Sequence, residues 1–388
     1  MKKLLAVLLV VVILCSCLVS CEKPQGEVEH KGTIMWLSHI SSGTLYDCTV
    51  KYSEAICKAL GYDFLVVFGD SMGDAANNLA AVKNAMTDDV IGLMASHVNG
   101  LASIMEEYPD LWVCGFACDM RPVYDADGTE AAVLASDRFL GTICDGVYDG
   151  KFNGENFFNA VVSHNYKKVS VINFPAFAYP NQTEATNEFM RLVAEYNKTA
   201  SAPITVVGDP VTLMFSPLNE SFFLEAGRGD LDCIVSFAAG TQFVLPTMVS
   251  AMSNGTCNKN TRLITGGFNS ESEIVENIGD DKIITHIITS ASEAPAYALV
   301  LLDNAINGCQ YSDFTKARID TVYCVIDSTE DINDIMTKTM RSDADISKAL
   351  LTVDEVKNMC VRFNSKATHA QLISIFQDVN KLGTEALK

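Results

Sequence analysis

The sequence is poor in basic residues. It has 28 lysines and arginines against 48 aspartates and glutamates in 388 residues, which gives a formal net charge of −20. Proteins that bind nucleic acids or anionic headgroups do so through clustered positive charge, and a surface this acidic repels both. The composition therefore argues against nucleic acid as a partner.

Long apolar runs are also missing beyond the N-terminus, where no stretch approaches the eighteen or so residues of a membrane helix. At the N-terminus itself, Met1-Lys2-Lys3 precedes an apolar run over residues 4–14. This pattern is typical of a secretory signal peptide and is too short to span a bilayer. Export from the cytoplasm is the prediction.

The signal is followed by Leu18-Val19-Ser20-Cys21, which resembles the lipobox of bacterial lipoproteins. The resemblance implies cleavage before Cys21 and attachment of a diacylglycerol to its sulfur, which would hold the protein at a membrane surface without a helix. An ordinary cleaved signal with incidental cysteines is the alternative.

The thirteen cysteines include no C-x-x-C pair, and Cys114 and Cys118 fall on an extended stretch rather than a metal-binding turn. Ten cysteines follow the lipobox. We predict that most are small buried hydrophobic residues. Disulfides such as Cys48–Cys57 stay open, because connectivity cannot be deduced from sequence.

Short apolar runs alternate with amphipathic segments from Gly32 onward, in two successive blocks. Such alternation predicts parallel sheets covered by helices on both faces, and two blocks predict two similar domains. Between the blocks, residues 137–141 are predicted to begin a helix. Near the end of the second block, residues 293–307 are predicted as a helix and residues 321–326 as one further strand.

Three segments in order resemble the type I periplasmic solute-binding proteins of bacterial ABC transporters. They are Tyr166-Lys167-Lys168-Val169-Ser170-Val171-Ile172, Asp232-Cys233-Ile234-Val235-Ser236-Phe237 and Ile264-Thr265-Gly266-Gly267-Phe268-Asn269. The resemblance implies an α/β fold of two Rossmann-like lobes with parallel sheets, joined by a three-strand hinge and binding a ligand between them. The family's sugar-binding arginine has no counterpart near residues 184–187, and Ala239-Gly240-Thr241 is closer to the nucleoside-binding lipoproteins.

The resemblance also implies a division of the chain. We expect a signal peptide at 1–20, a linker at 21–31, an N-terminal lobe from 32–135 and 290–322, and a C-terminal lobe at 136–289. Residues 323–388 would supply the last hinge strand and a helical C-terminal extension, in which Thr352 is placed to cap a helix.

Ligands of open parallel sheets bind beyond the carboxyl ends of the strands, where this chain has polar turns. From the first lobe we predict as ligand-binding residues His39, Ser41, Asp70, Ser71, His97, Asp119 and Arg121. From the second lobe we predict Phe177, Tyr179, Thr241, Phe268 and Asn269. Hydroxyls, imidazoles and amides beside aromatic faces suit a neutral, hydroxyl-rich molecule such as a sugar or nucleoside.

Two other interpretations of these turns are open. His39, His97, Asp70 and Asp119 are residue types that ligate zinc, although no metal or other cofactor is predicted. Gly69-Asp70-Ser71-Met72-Gly73 matches the G-x-S-x-G elbow of serine hydrolases, with His164 or His286 as the base. The elbow follows only the second strand and no oxyanion loop precedes it, so catalysis is not the expected activity.

The resemblance implies a lipid-anchored extracytoplasmic protein that captures a small polar solute, a sugar or nucleoside-like molecule, and delivers it to an ABC permease. The predicted partners are this solute, the permease, and the membrane through the lipid on Cys21. A lipoprotein that reports ligand occupancy to a signalling partner would use the same two-lobed site, so the sequence leaves that alternative open.

Overall fold

The computed structural model describes residues 30–70, 73–144, 149–177, 179–267, 276–279, 281–335, 338 and 345–383. The strands are β1 (Thr33–Ser38), β2 (Asp63–Phe68), β3 (Val90–Ala95), β4 (Trp112–Phe116), β5 (Phe139–Cys144), β6 (Lys168–Asn173), β7 (Thr205–Val206), β8 (Val211–Thr212), β9 (Cys233–Ser236), β10 (Arg262–Gly266), β11 (Ile284–Ser290), β12 (Arg318–Asp320) and β13 (Tyr323–Ile326).

The helices are α1 (Thr44–Leu60), α2 (Ala75–Ala85), α3 (Leu101–Glu107), α4 (Arg121–Tyr124), α5 (Ala131–Ala135), α6 (Gly150–Ser163), α7 (Pro180–Asn197), α8 (Gly240–Phe243), α9 (Leu245–Asn254), α10 (Pro295–Ile306), α11 (Thr329–Ile335), α12 (Val353–Met359), α13 (His369–Gln377) and α14 (Val379–Leu382). Two short 3₁₀ helices lie at Glu220–Leu224 and Ile346–Lys348. None of the helices in the described ranges is long and apolar enough to cross a membrane.

The first lobe is built on a six-stranded parallel sheet in the order β12-β5-β4-β3-β1-β2. Five of the six residues of β1 and all six of β5 are buried. Such nearly continuous apolar strands are expected where helices cover both faces of a parallel sheet. The predicted α/β class is confirmed here.

The second lobe has a sheet in the order β13-β11-β10-β9-β6-β7, and β8 also pairs with β6. All of its pairings are parallel except that of β11 with β13, which is antiparallel. Its core includes Phe157 and Phe189 of the covering helices and Phe237, which directly follows β9. Two similar lobes are therefore present, as the sequence predicts.

The chain crosses between the lobes three times, after Cys144, after Ser290 and after Asp320. The three-strand hinge of the predicted fold is thereby confirmed. The predicted helix over residues 137–141 is wrong, because this segment enters β5 of the first sheet. Its run of buried apolar residues suits an inner strand, and Gly141 has a left-handed φ of 108° that an α-helix does not contain.

Because β5 belongs to the first sheet, we propose that the first segment of the N-terminal lobe ends at Cys144 rather than at residue 135. The predicted strand over residues 321–326 is present as β13 from Tyr323, whereas residues 321–322 belong to a crossing between the sheets. Strand β12 ends at Asp320 beside β5 in the first sheet, whereas β13 begins at Tyr323 and pairs with β11 in the second. The third crossing lies between them.

The C-terminal extension packs on helix α10, whose residues from Pro295 to Ala305 are all buried. Helices α12 and α13 contact α10, and strands β3 to β5 contact it as well. Both α12 and α13 begin with a capping box, at Thr352 with Glu355 and at Thr368 with Gln371. The predicted cap at Thr352 is confirmed.

The ten described cysteines all carry free thiols, and nine of them are buried. Cys48 and Cys57 are among them, so the structure contains no bond corresponding to the disulfide left open above. Burial raises the pKa of Cys114 and Cys233, which keeps these thiols protonated and unreactive. They act as packing residues of the core.

Candidate functional site

The cleft between the lobes begins at the carboxyl ends of β1, β3 and β4. The Ser38 hydroxyl donates to the Ile40 carbonyl at 2.7 Å and thereby fixes the turn that presents His39. At the next strand end, the Ser96 hydroxyl accepts from Trp36 Nε1 at 2.8 Å and donates to the Phe116 carbonyl at 2.7 Å. These bonds hold the turn before His97 to the two neighbouring strands.

His39 and His97 face each other across this edge of the sheet. Their ring centroids are 6.3 Å apart and the rings are perpendicular. Gly69 makes room for His97, since a Cβ at this position would lie 2.6 Å from His97 Cδ2. His39 Nδ1 and His97 Nε2 are buried and have no hydrogen-bond partner within the described part of the chain.

Both imidazoles are neutral at neutral pH. Burial, with a smaller contribution from His97, lowers the pKa of His39 from 6.5 to about 4. Burial also lowers the pKa of His97, although a hydrogen bond with the Ser38 backbone and the charge of Asp70 oppose the shift. A neutral imidazole offers one donor and one acceptor, so the pair can exchange hydrogen bonds with a hydroxyl group.

An ion-pair chain lies beside the histidines. Arg121 Nε donates to both oxygens of Asp119, at 3.0 and 2.8 Å, and its Nη1 donates to Glu184 of the second lobe. Hydrogen bonding to Asp119 raises the pKa of Arg121 further above its ordinary value. The charge of Asp119 is thus paired within the wall of the cleft, and the chain also links the two lobes.

The facing wall comes from the loop after β6 and from the first turn of α7. Pro180 occupies the first helical position, where its missing N–H costs no hydrogen bond. The Gln182 side chain then accepts from the Phe174 N–H at 2.7 Å and ties the loop to the helix. Tyr179 packs on Phe174, with their ring centroids 5.4 Å apart.

Two adjoining cavities fill the cleft. The first, the polar compartment, has a volume of about 210 Å³ and its polar lining residues include His39, His97, Asn99, Asp119 and Asn181. The second, the aromatic compartment, has a volume of about 230 Å³ and includes Ile40, Leu45, Phe174, Phe237, Gly266 and Gly267 in its lining. His39, Tyr179 and Asn181 border both compartments.

The predicted ligand-binding residues divide into three groups in the structure. Those that line the compartments are His39, His97, Asp119, Phe177 and Tyr179. Those placed elsewhere are Ser41, Asp70, Arg121 and Thr241. Those outside the described residues are Ser71, Phe268 and Asn269, together with the lipidation residue Cys21.

Each residue of the second group has a physical reason for its position. Ser41 is exposed, and its neighbour Ser42 lines the aromatic compartment instead. Asp70 accepts from Asn77 Nδ2 at 2.8 Å near the start of α2. Arg121 donates to Asp119, and Thr241 has no exposed surface. These four side chains lie outside the two compartments, and their contact with a ligand stays a prediction.

Several lining residues are absent from the predicted set, among them Asn99, Asn181, Gln182, Gln242 and Ser290. Asn181 and Gln182 follow Pro180 directly, and a proline that starts a helix after a strand end is the signal that could have identified them. Ser290 ends strand β11 at the second lobe crossing, where the sequence predicts a lobe boundary but no ligand-binding residue.

The described residues do not include a complete set of groups for a metal site or for a serine hydrolase. Across the described ranges, no three His, Cys, Asp or Glu side chains lie close enough together to hold a metal ion. His286 contacts Asn156 Oδ1 at 2.7 Å and His164 stacks on Tyr166, both within the second lobe. The elbow serine lies outside the described residues, and its turn follows β2 of the first lobe.

No protein-family model matches the sequence, and no curated protein matches it. Solved structures do match in fold. A glucose-galactose binding protein from Geobacillus stearothermophilus is 12% identical with a TM-score of 0.55, over 77% of this chain and 98% of that one. A solute-binding protein from Agrobacterium vitis bound with α-D-tagatopyranose is 12% identical with a TM-score of 0.54, over 78% and 97%.

A third structure, a solute-binding protein from Burkholderia graminis in complex with D-arabinose, is 13% identical with a TM-score of 0.55. It is matched over 96% of its length and over 78% of this chain. Identities this low are evidence for the fold alone. The chain has the two-lobed fold of the type I periplasmic binding proteins.

Proposed function

We propose that this chain, with its type I periplasmic-binding-protein fold, is a solute-binding protein that takes a small, neutral, hydroxyl-rich molecule into the interlobe cleft. The carrying observation is the pair of buried imidazoles whose Nδ1 and Nε2 atoms have no hydrogen-bond partner in the described ranges. A buried polar atom without a partner is costly, and a ligand hydroxyl would remove that cost.

Neutrality of the ligand follows from the charges around the cleft. The two imidazoles are uncharged at neutral pH because burial lowers their pKa values. Asp119 is paired with Arg121, and Arg121 is paired with Glu184 as well. Among the described residues that line the cleft, an ionic ligand would therefore meet no unpaired opposite charge, and it would lose its hydration. Sugars and nucleosides carry the required hydroxyls without charge.

Binding would act through closure of the lobes. A ligand that contacts residues of both lobes stabilises the closed arrangement in proportion to its preference for that arrangement. His39 and His97 belong to the first lobe, whereas Tyr179 and Asn181 belong to the second. The three crossings provide the hinge for such a movement. No chemical step is part of this function.

The cellular role that we propose is capture outside the cytoplasm and delivery to an ABC permease. The signal and lipobox motif support export and anchoring through Cys21, and structures of the same fold are described as ABC transporter solute-binding proteins. The alternative role is to report ligand occupancy to a signalling partner.

A thermal-shift screen of the purified protein tests the binding function. The panel contains neutral monosaccharides, polyols and nucleosides, with amino acids and nucleotides as charged comparisons. We expect at least one neutral compound to raise the melting temperature of wild type and not of His97→Leu. His30→Leu is the matched control, because His30 is exposed and contacts Asp89 outside the cleft. A panel without any shift would refute the proposal.

A further inference from the structure

One residue of the second lobe has a backbone conformation that its side chain disfavours. Phe215, in the loop after β8, has a left-handed φ of 56°. Among the described residues other than glycine, only Ala117 and Asn165 share this region. Asparagine enters it at little cost, whereas a bulky side chain there is strained, and the surrounding structure must offset the strain. The contacts of Phe215 therefore indicate what the strained conformation achieves.

Phe215 is turned towards the protein while its neighbours face solvent. Met214 is 62% exposed and Ser216 is exposed as well, whereas Phe215 is partly buried. Backbone hydrogen bonds fix the loop on both sides of these residues. The N–H groups of Leu213 and Leu218 donate to carbonyls of β6 and α8, at 2.8 and 2.7 Å. The loop thus presents one aromatic side chain inward between two fixed points.

The Phe215 ring packs against three aromatic residues of the cleft wall. The distance between ring centroids is 5.1 Å to Phe174, 6.2 Å to Tyr179 and 6.5 Å to Phe177. Phe177 and Tyr179 line the polar compartment, and Phe174 and Tyr179 line the aromatic compartment. Phe215 itself lines neither. An effect of Phe215 on a ligand must therefore act through the wall residues that it contacts.

Phe177 depends on this contact more than the other two rings do. Phe174 and Tyr179 pack on each other, with ring centroids 5.4 Å apart, and Phe174 also packs on Phe243. Phe177 is 68% exposed, and within the described ranges Phe215 provides its only ring contact. Without that contact the Phe177 side chain would have to be ordered by the ligand. Ordering one side chain on binding lowers affinity by about two- to tenfold.

We infer that Phe215 is a positioning residue, which holds Phe177 in place at the polar compartment before a ligand arrives. Packing of the Phe215 ring on its three aromatic neighbours offsets the strained φ of Phe215. The inference rests on the proposed function and adds to it a residue that sets affinity without contacting the ligand. Removal of the Phe215 ring should weaken binding, because Phe177 must then be ordered during binding.

A double-mutant cycle measured by isothermal titration tests this inference. The probes are D-glucose, D-galactose, D-arabinose, D-ribose, uridine and adenosine, and each variant is titrated with the probe that wild type binds most tightly. We expect Phe177→Ala to weaken binding about tenfold and Phe215→Ala to weaken it at least about threefold. In the Phe177→Ala background, Phe215→Ala should change the affinity by less than about 1.5-fold. A loop that only loses its structure would weaken binding equally in both backgrounds.

Two single variants are the controls of this cycle. Phe215→Tyr keeps the aromatic ring and should bind within about twofold of wild type. Met214→Ala changes the exposed neighbour in the same loop and should leave the affinity unchanged, because Met214 lines neither compartment.

A comparison of Phe215→Gly with Phe215→Ala tests the backbone strain. Both variants remove the ring, so both should weaken binding by the same factor. Glycine alone adopts a left-handed φ freely, so Phe215→Gly should unfold at a higher urea concentration than Phe215→Ala. This is the reverse of the usual order of glycine and alanine. Phe215→Gly also takes the place of Phe215→Ala in the cycle if the alanine variant fails to fold.

The possible results separate this inference from the proposed function. Equal effects of Phe215→Ala in the two backgrounds, unchanged affinity in wild type, or an equal effect of Met214→Ala would overturn the positioning role and leave the binding function intact. A glycine variant no more stable than the alanine variant would overturn the role of strain. Absence of binding of every probe by wild type would count against both the positioning role and the proposed function.

Discussion

At the scale of single residues, the chemistry of the cleft depends on two histidines held in their neutral form. Each ring has one buried nitrogen without a hydrogen-bond partner in the described ranges. Burial also makes protonation of each ring costly. Ligand binding should therefore depend on pH, because protonation of an imidazole would place a second donor where an acceptor is needed.

Acidification should destabilise the protein through His39. The pKa of His39 is lowered from 6.5 to about 4, so the unfolded chain takes up a proton as the pH falls below 6.5 and the folded chain does not until about pH 4. The resulting loss of unfolding free energy is fully developed below pH 4 and amounts to at most about 3 kcal/mol. Denaturant melts of wild type and His39→Gln across this window measure it.

Comparing wild type with His39→Gln separates the contribution of His39 ionisation from that of the other titrating groups. The stability of wild type relative to His39→Gln should fall between pH 6.5 and pH 4 and stay constant above that window. A difference that does not change with pH would mean that the imidazole ionises as freely in the folded chain as in the unfolded one.

One topological rule accounts for the predicted residues that line the cleft. His39, His97 and Asp119 follow parallel strands, and the carboxyl ends of such strands meet at one edge. The rule says nothing of which way a side chain points. Asp70 also follows a strand but turns towards α2, and Asn181 reaches the cleft from a helix.

At the scale of secondary-structure elements, the C-terminal extension completes the core of the first lobe. Helix α10 is buried because the first sheet, helix α1 and, from the extension, α12 and α13 surround it. Phe376 of α13 is fully buried and packs edge-on against Tyr297 of α10, with ring centroids 5.7 Å apart. The extension is thus part of the fold.

Removing the Phe376 side chain should therefore lower the free energy of unfolding strongly. Phe376→Ala leaves a cavity between α10 and α13 and is expected to cost about 3–5 kcal/mol of unfolding free energy. Phe363→Ala is the matched control, because Phe363 is 44% exposed and its loss should cost about 1 kcal/mol or less. Equal losses in urea denaturation would show that the extension is not packed as described.

A buried carboxyl group joins the extension to the second crossing. Glu293 accepts from the Leu350 N–H at 2.9 Å, and burial raises its pKa from 4.5 to about 7. The unfolded chain ionises from pH 4.5 upward and the folded chain only near pH 7. Stability contributed by the protonated group is therefore present below pH 4.5 and lost as the pH rises to about 7.

Glu293→Gln keeps the acceptor and removes the charge. We expect the variant to gain stability relative to wild type as the pH rises from 4.5 to 7, by up to about 3 kcal/mol, and the gain to level off above pH 7. Thermal melts at several pH values provide the measurement. A variant that is less stable than wild type at pH 8 would contradict the burial of an ionisable group here.

Element prediction failed where local sequence and tertiary context disagree. Residues 137–141 include charged residues before an apolar stretch, which is compatible with a helix start, but the apolar run continues into β5 as an inner strand. Likewise, the continuous β-like pattern over residues 321–326 hides a crossing, because periodicity does not report which sheet a strand joins.

At the scale of the whole molecule, the two lobes meet through Arg121 and Glu184. The pair joins α4 of the first lobe to α7 of the second and is partly exposed, with Glu184 at 49%. An ion pair of this exposure contributes about 0.5 kcal/mol. We therefore expect it to bias the proposed closure modestly without locking the lobes.

Glu184→Gln should shift the lobes towards an open arrangement. We expect ligand affinity to fall about two- to threefold and the radius of gyration without ligand to rise in small-angle scattering. Glu188→Gln is the matched control, since Glu188 pairs with Arg191 on the same helix and makes no bridge between lobes. An equal effect of both variants would assign the change to helix α7 rather than to closure.

The central claim is that a neutral, hydroxyl-rich solute binds at the paired imidazoles of the interlobe cleft. Its most direct test is isothermal titration of the strongest compound from the thermal-shift panel into wild type, His97→Leu and His30→Leu. The account predicts one-to-one binding that His97→Leu weakens at least about tenfold and His30→Leu leaves unchanged. Equal affinity for wild type and His97→Leu would contradict it.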